Sequence, residues 1–169
     1  EIAYSLMLLD QKVGYLALEE NTKRTALGFM GLHLNKPIHL QSVEYTPEEL
    51  KNAFDNVLGT GNLFLYDHWG SMEINHLFNK IRYLVKGVGC THIILDHLTI
   101  VLSGLEGGDE RRMLDFVMTK LRSLVEEVQC SLILVSHLRR PAGDKGHEEG
   151  VRTTLNQLRG SHGIAQLSD

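Results

Sequence analysis

At 169 residues, with 43% hydrophobic and 22% charged positions, the chain has the balance of a globular domain able to bury a core. No apolar run approaches the ~20 residues of a membrane span, and residues 1–9 lack the basic start of a secretory leader, which predicts a cytoplasmic protein. Only Cys90 and Cys130 occur, outside any C-x-x-C pair, which excludes a disulfide framework and argues for buried, inert thiols in a reducing compartment. The net charge of −4 does not by itself suggest nucleic acid, but residues 137–162 carry +2 while the remainder carries −6, a local basic footprint on an acidic body.

In chain order, Ile2 to Leu9 reads as the latter part of a helix, and Val13 to Leu18 as a strand running into Glu19-Glu20. Asn21 is an N-cap for a helix over 22–34, with Ala26, Leu27, Met30 and Leu34 at helical spacing and Pro37 ending the element. Thr46-Pro47-Glu48-Glu49 starts a helix that runs to about Leu58. Leu63 to Tyr66 is a short strand ending on Asp67. Ser71 to Val88 is a long amphipathic helix with Ile74, Leu77, Phe78, Ile81, Leu84 and Val85 on one face. Ile93 to Asp96 is a fully buried central strand. Leu98 to Leu102 is apolar, and residues 103–108 form a glycine-rich loop. Asp109 to Val128 is a helix with Met113, Phe116, Val117, Leu121, Leu124 and Val128 inward, and Ser131 to Ser136 is the last strand. Continuous apolar strands alternating with helices predict an α/β fold, a mainly parallel sheet covered on both faces.

Three of these strands end on Glu19, Asp96 and His137. In open parallel sheets ligands bind at the carboxyl edge, so strands that are neighbours would present all three side chains together. Mg²⁺ favours one or two carboxylates with phosphate oxygens and water, which suits Asp96 acting through a water. Glu19 would orient a water for in-line attack on a γ-phosphate, and His137 would hydrogen-bond that phosphate and register its loss. Taken singly, each residue reads equally well as a cap or a satisfied polar side chain. Glu20 competes with Glu19, and strand alternation allows only one of them to face the site.

After His137 comes a stretch of some 17 residues without periodicity, bearing Arg139, Arg140, Lys145, His147 and Arg152. Basic residues beside a nucleotide site suit the phosphates of single-stranded nucleic acid, and so do Arg159 and Gly160 ahead of a helix starting at Ser161. No aromatic residue lies between His137 and Asp169, so contact there would be to backbone rather than by base stacking. No G-x-x-x-x-G-K-[ST] phosphate loop occurs. The start inside a helix and the end at a helix-to-strand passage predict one domain over 1–169, an excerpt whose phosphate-loop strand lies upstream and whose last strands lie downstream.

Glu19-Glu20 after a strand, Ile93-Ile-Leu-Asp-His97, Ser136-His-Leu138, Lys145-Gly-His-Glu-Glu-Gly150, Leu158-Arg-Gly-Ser161 and Gln166-Leu-Ser-Asp169 together resemble the helicase domain of the primase–helicases of T-odd bacteriophages. These belong to the RecA-like, DnaB-type replicative helicase superfamily. The resemblance runs over nearly the whole chain and is weakest between about Gly31 and Leu58. It implies a RecA-like three-layer sandwich and a homo-hexamer that hydrolyses ATP or dTTP with Mg²⁺ while translocating on single-stranded DNA. It also implies partnership with a replicative polymerase and a fused primase. In the resemblance Glu19 stands as the catalytic glutamate, Asp96 as the Walker B aspartate and His137 as the γ-phosphate sensor. Arg139, Lys145, His147 and Arg159 fall at DNA-phosphate positions, whereas Gly143 and Ala165 stand where phage relatives can carry basic residues. Two other readings stand beside it. One is a non-catalytic RecA-like binding module; the other is a metal-dependent hydrolase using Asp96, His97 and His137.

Overall fold

The computed structural model describes residues 1–40, 42–67, 73–103, 110–138, 150, 153–158 and 162–168. Four apolar runs pair into one sheet: β1 (Val13–Ala17), β2 (Leu63–Asp67), β3 (His92–Asp96) and β4 (Ser131–Leu134). Their spatial order is β2-β1-β3-β4, and every pairing is parallel. Parallel neighbours need crossovers, which helices supply. α1 (Ile2–Leu8) precedes β1, while α2 (Thr22–Leu34) and α3 (Pro47–Val57) join β1 to β2. α4 (Ile74–Arg82), continued by a wide π-type turn over Tyr83–Gly87, leads from β2 to β3. α5 (Leu98–Ser103) and α6 (Glu110–Val128) lie between β3 and β4, and α7 (His162–Leu167) follows.

Side-chain alternation divides the core in two. Val13 and Ile94 point to the face covered by α1, α2 and α3, where Ala3, Met7, Phe29, Met30, Ala53 and Val57 are buried. Leu16, Ile93 and Leu95 point to the opposite face, against Leu77, Ile81, Leu114, Leu121 and Leu124 of α4 and α6. This is the expected sandwich of helix, sheet and helix. Burying each of the larger side chains stabilises the fold by roughly 1.5–3 kcal/mol.

Local chemistry sets the element ends. The Asn21 side chain accepts from the Arg24 backbone N–H at 2.9 Å, capping α2. Thr46 and Glu49 form a reciprocal capping box at the start of α3, with Pro47 in the first turn. Several expectations shift. α2 ends at Leu34 because Asn35 adopts a left-handed φ of 52°, two residues before Pro37 acts. Its buried residues are Thr25, Phe29, Met30 and Gly31, so the inward face is rotated from the Ala26–Leu27–Leu34 stripe. α4 begins at Ile74 after Glu73, not at Ser71, which lies outside the described residues. On α6, Phe116 is 52% exposed under the Lys120 ammonium, and Leu114 and Met118 fill the core instead. β4 stops at Leu134, although the Val135 N–H still donates to the Leu95 carbonyl at 3.0 Å.

Candidate functional site

Because β1, β3 and β4 are adjacent and parallel, the chain leaves all three on the same edge of the sheet. Backbone hydrogen bonds hold those exits together. The Leu18 N–H donates to the Asp96 carbonyl at 2.7 Å, and the Leu98 N–H donates to the Val135 carbonyl at 3.0 Å. Glu19, Asp96 and His137 are therefore brought to one edge, as neighbouring strands require. Within that edge the three side chains divide between two environments.

Glu19 turns toward the histidines. Its Oε1 lies 2.7 Å from His97 Nε2 and 3.9 Å from His137 Nε2. The two imidazoles stack edge to face, with ring centroids 4.0 Å apart and planes at 86°. Glu20 goes the other way and pairs with Arg24 at 3.2 Å on the surface. The choice that sequence left open is thus resolved geometrically: Glu19 faces the edge cluster.

Asp96 follows the alternation of β3 onto the face of Ile94, away from the histidines. Its Oδ2 accepts a 2.6 Å hydrogen bond from the Tyr15 hydroxyl. Tyr15 sits on β1 opposite Ile94 and packs edge-on against Phe29, with centroids 5.4 Å apart. Burial, then the bond to Asp96, raises the Tyr15 phenol well above its ordinary range, so it stays a donor. Asp96 is a half-buried, hard oxygen ligand held in one orientation at the sheet edge, a donor of the kind Mg²⁺ takes. The metal-hydrolase grouping of Asp96, His97 and His137 does not form. Among the described residues, the three that converge are Glu19, His97 and His137.

Tyr15 carries no signal in a motif; only its register, two residues before Ala17 and its partner Asp96, could have pointed to it. His97 is visible as the residue after the strand carboxylate, but its burial is not. Arg139, Arg140, Lys145, His147, Arg159 and Gly160 lie outside the described residues. Cys90 is buried, and burial pushes its thiol up to about 11, with Lys12 pulling weakly the other way; Cys130 is raised by the same desolvation. Among the described residues no helix is long and apolar enough to cross a membrane.

Residues 7–169 match the family model of the DnaB-like helicase C-terminal domain. The chain belongs to that family. This DnaB-like domain is 35% identical over 171 residues to the DNA helicase/primase of Enterobacteria phage T3, an alignment covering 95% of the chain and 29% of the phage protein. The domain therefore spans less than a third of that relative's length. Among solved structures it superposes on a helicase ATPase domain with a TM-score of 0.76 at 18% identity, covering 99% of this chain and 60% of that one. A KaiC-like protein from the archaeon Pyrococcus horikoshii matches with a TM-score of 0.54 at 16% identity, covering 80% of this chain and 51% of that one. At such identities the likeness is one of fold, the RecA-like α/β fold of DnaB-type helicases.

Proposed function

We propose that this DnaB-like domain is the motor of a replicative DNA helicase, coupling hydrolysis of ATP or dTTP to movement along single-stranded DNA. The observation that carries the reading is the convergence of Glu19, Asp96 and His137 at the ends of three adjacent parallel strands, with Glu19 and His137 3.9 Å apart. Phosphoryl transfer asks a protein mainly for positioning and charge stabilisation. The exposed Glu19 carboxylate orients a water toward the γ-phosphorus and takes its proton as the new P–O bond forms. Asp96, fixed by Tyr15, would hold Mg²⁺ through a water; when bound, that ion neutralises charge on the phosphates. His137, half-exposed at the end of β4, donates to the γ-phosphate. Loss of the phosphate frees it, and the change passes to Arg139 and Arg140 directly after it. Those two residues, with Lys145, His147, Arg159 and Gly160, bind the DNA backbone.

On this reading, residues 1–169 form part of a RecA-like core that acts in a homo-hexamer, in company with a fused primase and a replicative polymerase. The test is DNA-stimulated nucleotide hydrolysis by the complete protein carrying His137→Ala. The expected result is basal turnover that single-stranded DNA no longer accelerates. Full DNA stimulation in that variant would overturn the sensor role.

A further inference from the structure

His97 is the unusual residue of the edge cluster. Its side chain is only 6% exposed, and its 2.7 Å approach to Glu19 is not aligned as a hydrogen bond, so neither ring nitrogen has a hydrogen-bond partner. A buried polar group left in that state costs roughly 1–3 kcal/mol. The ring is aimed at Glu19 and His137, and one ligand atom from each of the three side chains lies within 4.8 Å of the others. We propose that Glu19, His97 and His137 form a binding site for a single borderline divalent cation of the Zn²⁺ class, distinct from the oxygen-donor position at Asp96.

Two imidazoles and a carboxylate are a set that such ions take in three-ligand, open tetrahedral sites. Metal–ligand bonds of ~2.0–2.1 Å put tetrahedral ligand atoms about 3.3 Å apart. The observed 2.7 Å and 3.9 Å lie on either side of that spacing. His97 is fixed by the core, whereas Glu19 and His137 have side chains more than half exposed and can close the remaining gap. The nitrogen-rich set selects against Mg²⁺, which prefers oxygen ligands in an octahedron. Asp96 is turned away to Tyr15 and does not join the set. Cys90 and Cys130 precede β3 and β4 at the opposite edge of the sheet, a five-residue strand away (~17 Å), so no thiolate reaches the ion. An ion here holds the Glu19 carboxylate. Resting on the hydrolytic role proposed above, Zn²⁺ then inhibits turnover even in excess Mg²⁺.

The test titrates the full chain with Co²⁺, read by the visible absorption of four-coordinate cobalt. The expected result is one Co²⁺ per chain, no thiolate charge-transfer band, displacement by Zn²⁺, and no displacement by excess Mg²⁺. His97→Asn and Glu19→Gln each weaken binding ~10-fold or more, with far-ultraviolet circular dichroism unchanged. If His97→Asn does not fold, the half-exposed Glu19→Gln decides alone. Absent stoichiometric binding, a thiolate band, or undiminished affinity in the folded variants would overturn the site. Separately, Zn²⁺ is added to the complete protein hydrolysing nucleotide with Mg²⁺. Inhibition supports the shared use of Glu19. Turnover insensitive to Zn²⁺ while Co²⁺ still binds would count against the hydrolytic role of Glu19 and leave the metal site standing.

Discussion

Tyr15 and Asp96 show how much of the site depends on one hydrogen bond. The 2.6 Å contact fixes a carboxylate that is otherwise free to rotate at the end of β3. Tyr15→Phe keeps the ring and its packing on Phe29 and removes only the hydroxyl. The complete protein carrying it is expected to need several-fold to tenfold more Mg²⁺ for half-maximal hydrolysis, the equivalent of about 1 kcal/mol. A Mg²⁺ titration checks this, and an unchanged midpoint means that Asp96 does not hold the metal. The same scale shows what sequence can and cannot supply. Three polar strand ends were readable in Glu19, Asp96 and His137, because each follows a short apolar run. Their division into a Glu19–His97–His137 cluster and a Tyr15–Asp96 pair was not readable, because it depends on strand register and on which face each side chain takes. Cys90 adds a chemical prediction. With its thiol pushed up to about 11 by burial, it should alkylate far more slowly than a free cysteine of pKa ~8.5, as mass-resolved iodoacetamide labelling of the native and unfolded chain would show.

At the scale of elements, caps were legible where they rest on local chemistry, and faces were less so. Asn21 and the Thr46–Glu49 box act within four residues of themselves, so sequence suffices. Phe116 reads as inward by periodicity, yet the stripe of α6 that reaches the sheet is centred on Leu114, Val117 and Leu121, a rotation set by tertiary packing. Glu49 carries a testable electrostatic consequence. The bond from the Lys36 ammonium first, then the Thr46 backbone N–H, holds its carboxyl below the ordinary value. A depressed folded-state pKa contributes stability above the unfolded value of 4.5, and that contribution is lost as pH falls through the folded value. Melting curves of the chain and its Glu49→Gln variant are therefore expected to differ at neutral pH and to converge in acid. A gap that persists below the carboxylate range would contradict the assignment. Gly31 gives a second case. A Cβ there would lie 2.6 Å from the Lys36 carbonyl oxygen, backbone that cannot swing aside. Gly31→Ala is expected to destabilise by about 1–3 kcal/mol despite the better helix propensity of alanine, measured by urea denaturation.

The whole molecule is organised by the order β2-β1-β3-β4, which makes neighbours of strands far apart in sequence and gathers their ends on one edge. Alternation of apolar strands with helices announced a parallel sheet; the order within it came only from the structure. The basic stretch after His137 enters at this scale, since a DNA track belongs to the assembled protein. Arg139→Ala and Lys145→Ala in the complete protein are each expected to weaken single-strand binding and to reduce the slope of log affinity against log salt by about 0.7. An unchanged slope would remove these residues from the DNA contact. The most direct measurement compares single-strand-stimulated nucleotide hydrolysis by the complete protein carrying Glu19→Gln with that carrying Glu20→Gln. Glu19 faces His97 and His137 whereas Glu20 is engaged with Arg24, so turnover should vanish in the first, with nucleotide still bound, and persist in the second. Sustained turnover in Glu19→Gln, or its loss only in Glu20→Gln, would contradict the proposed motor site.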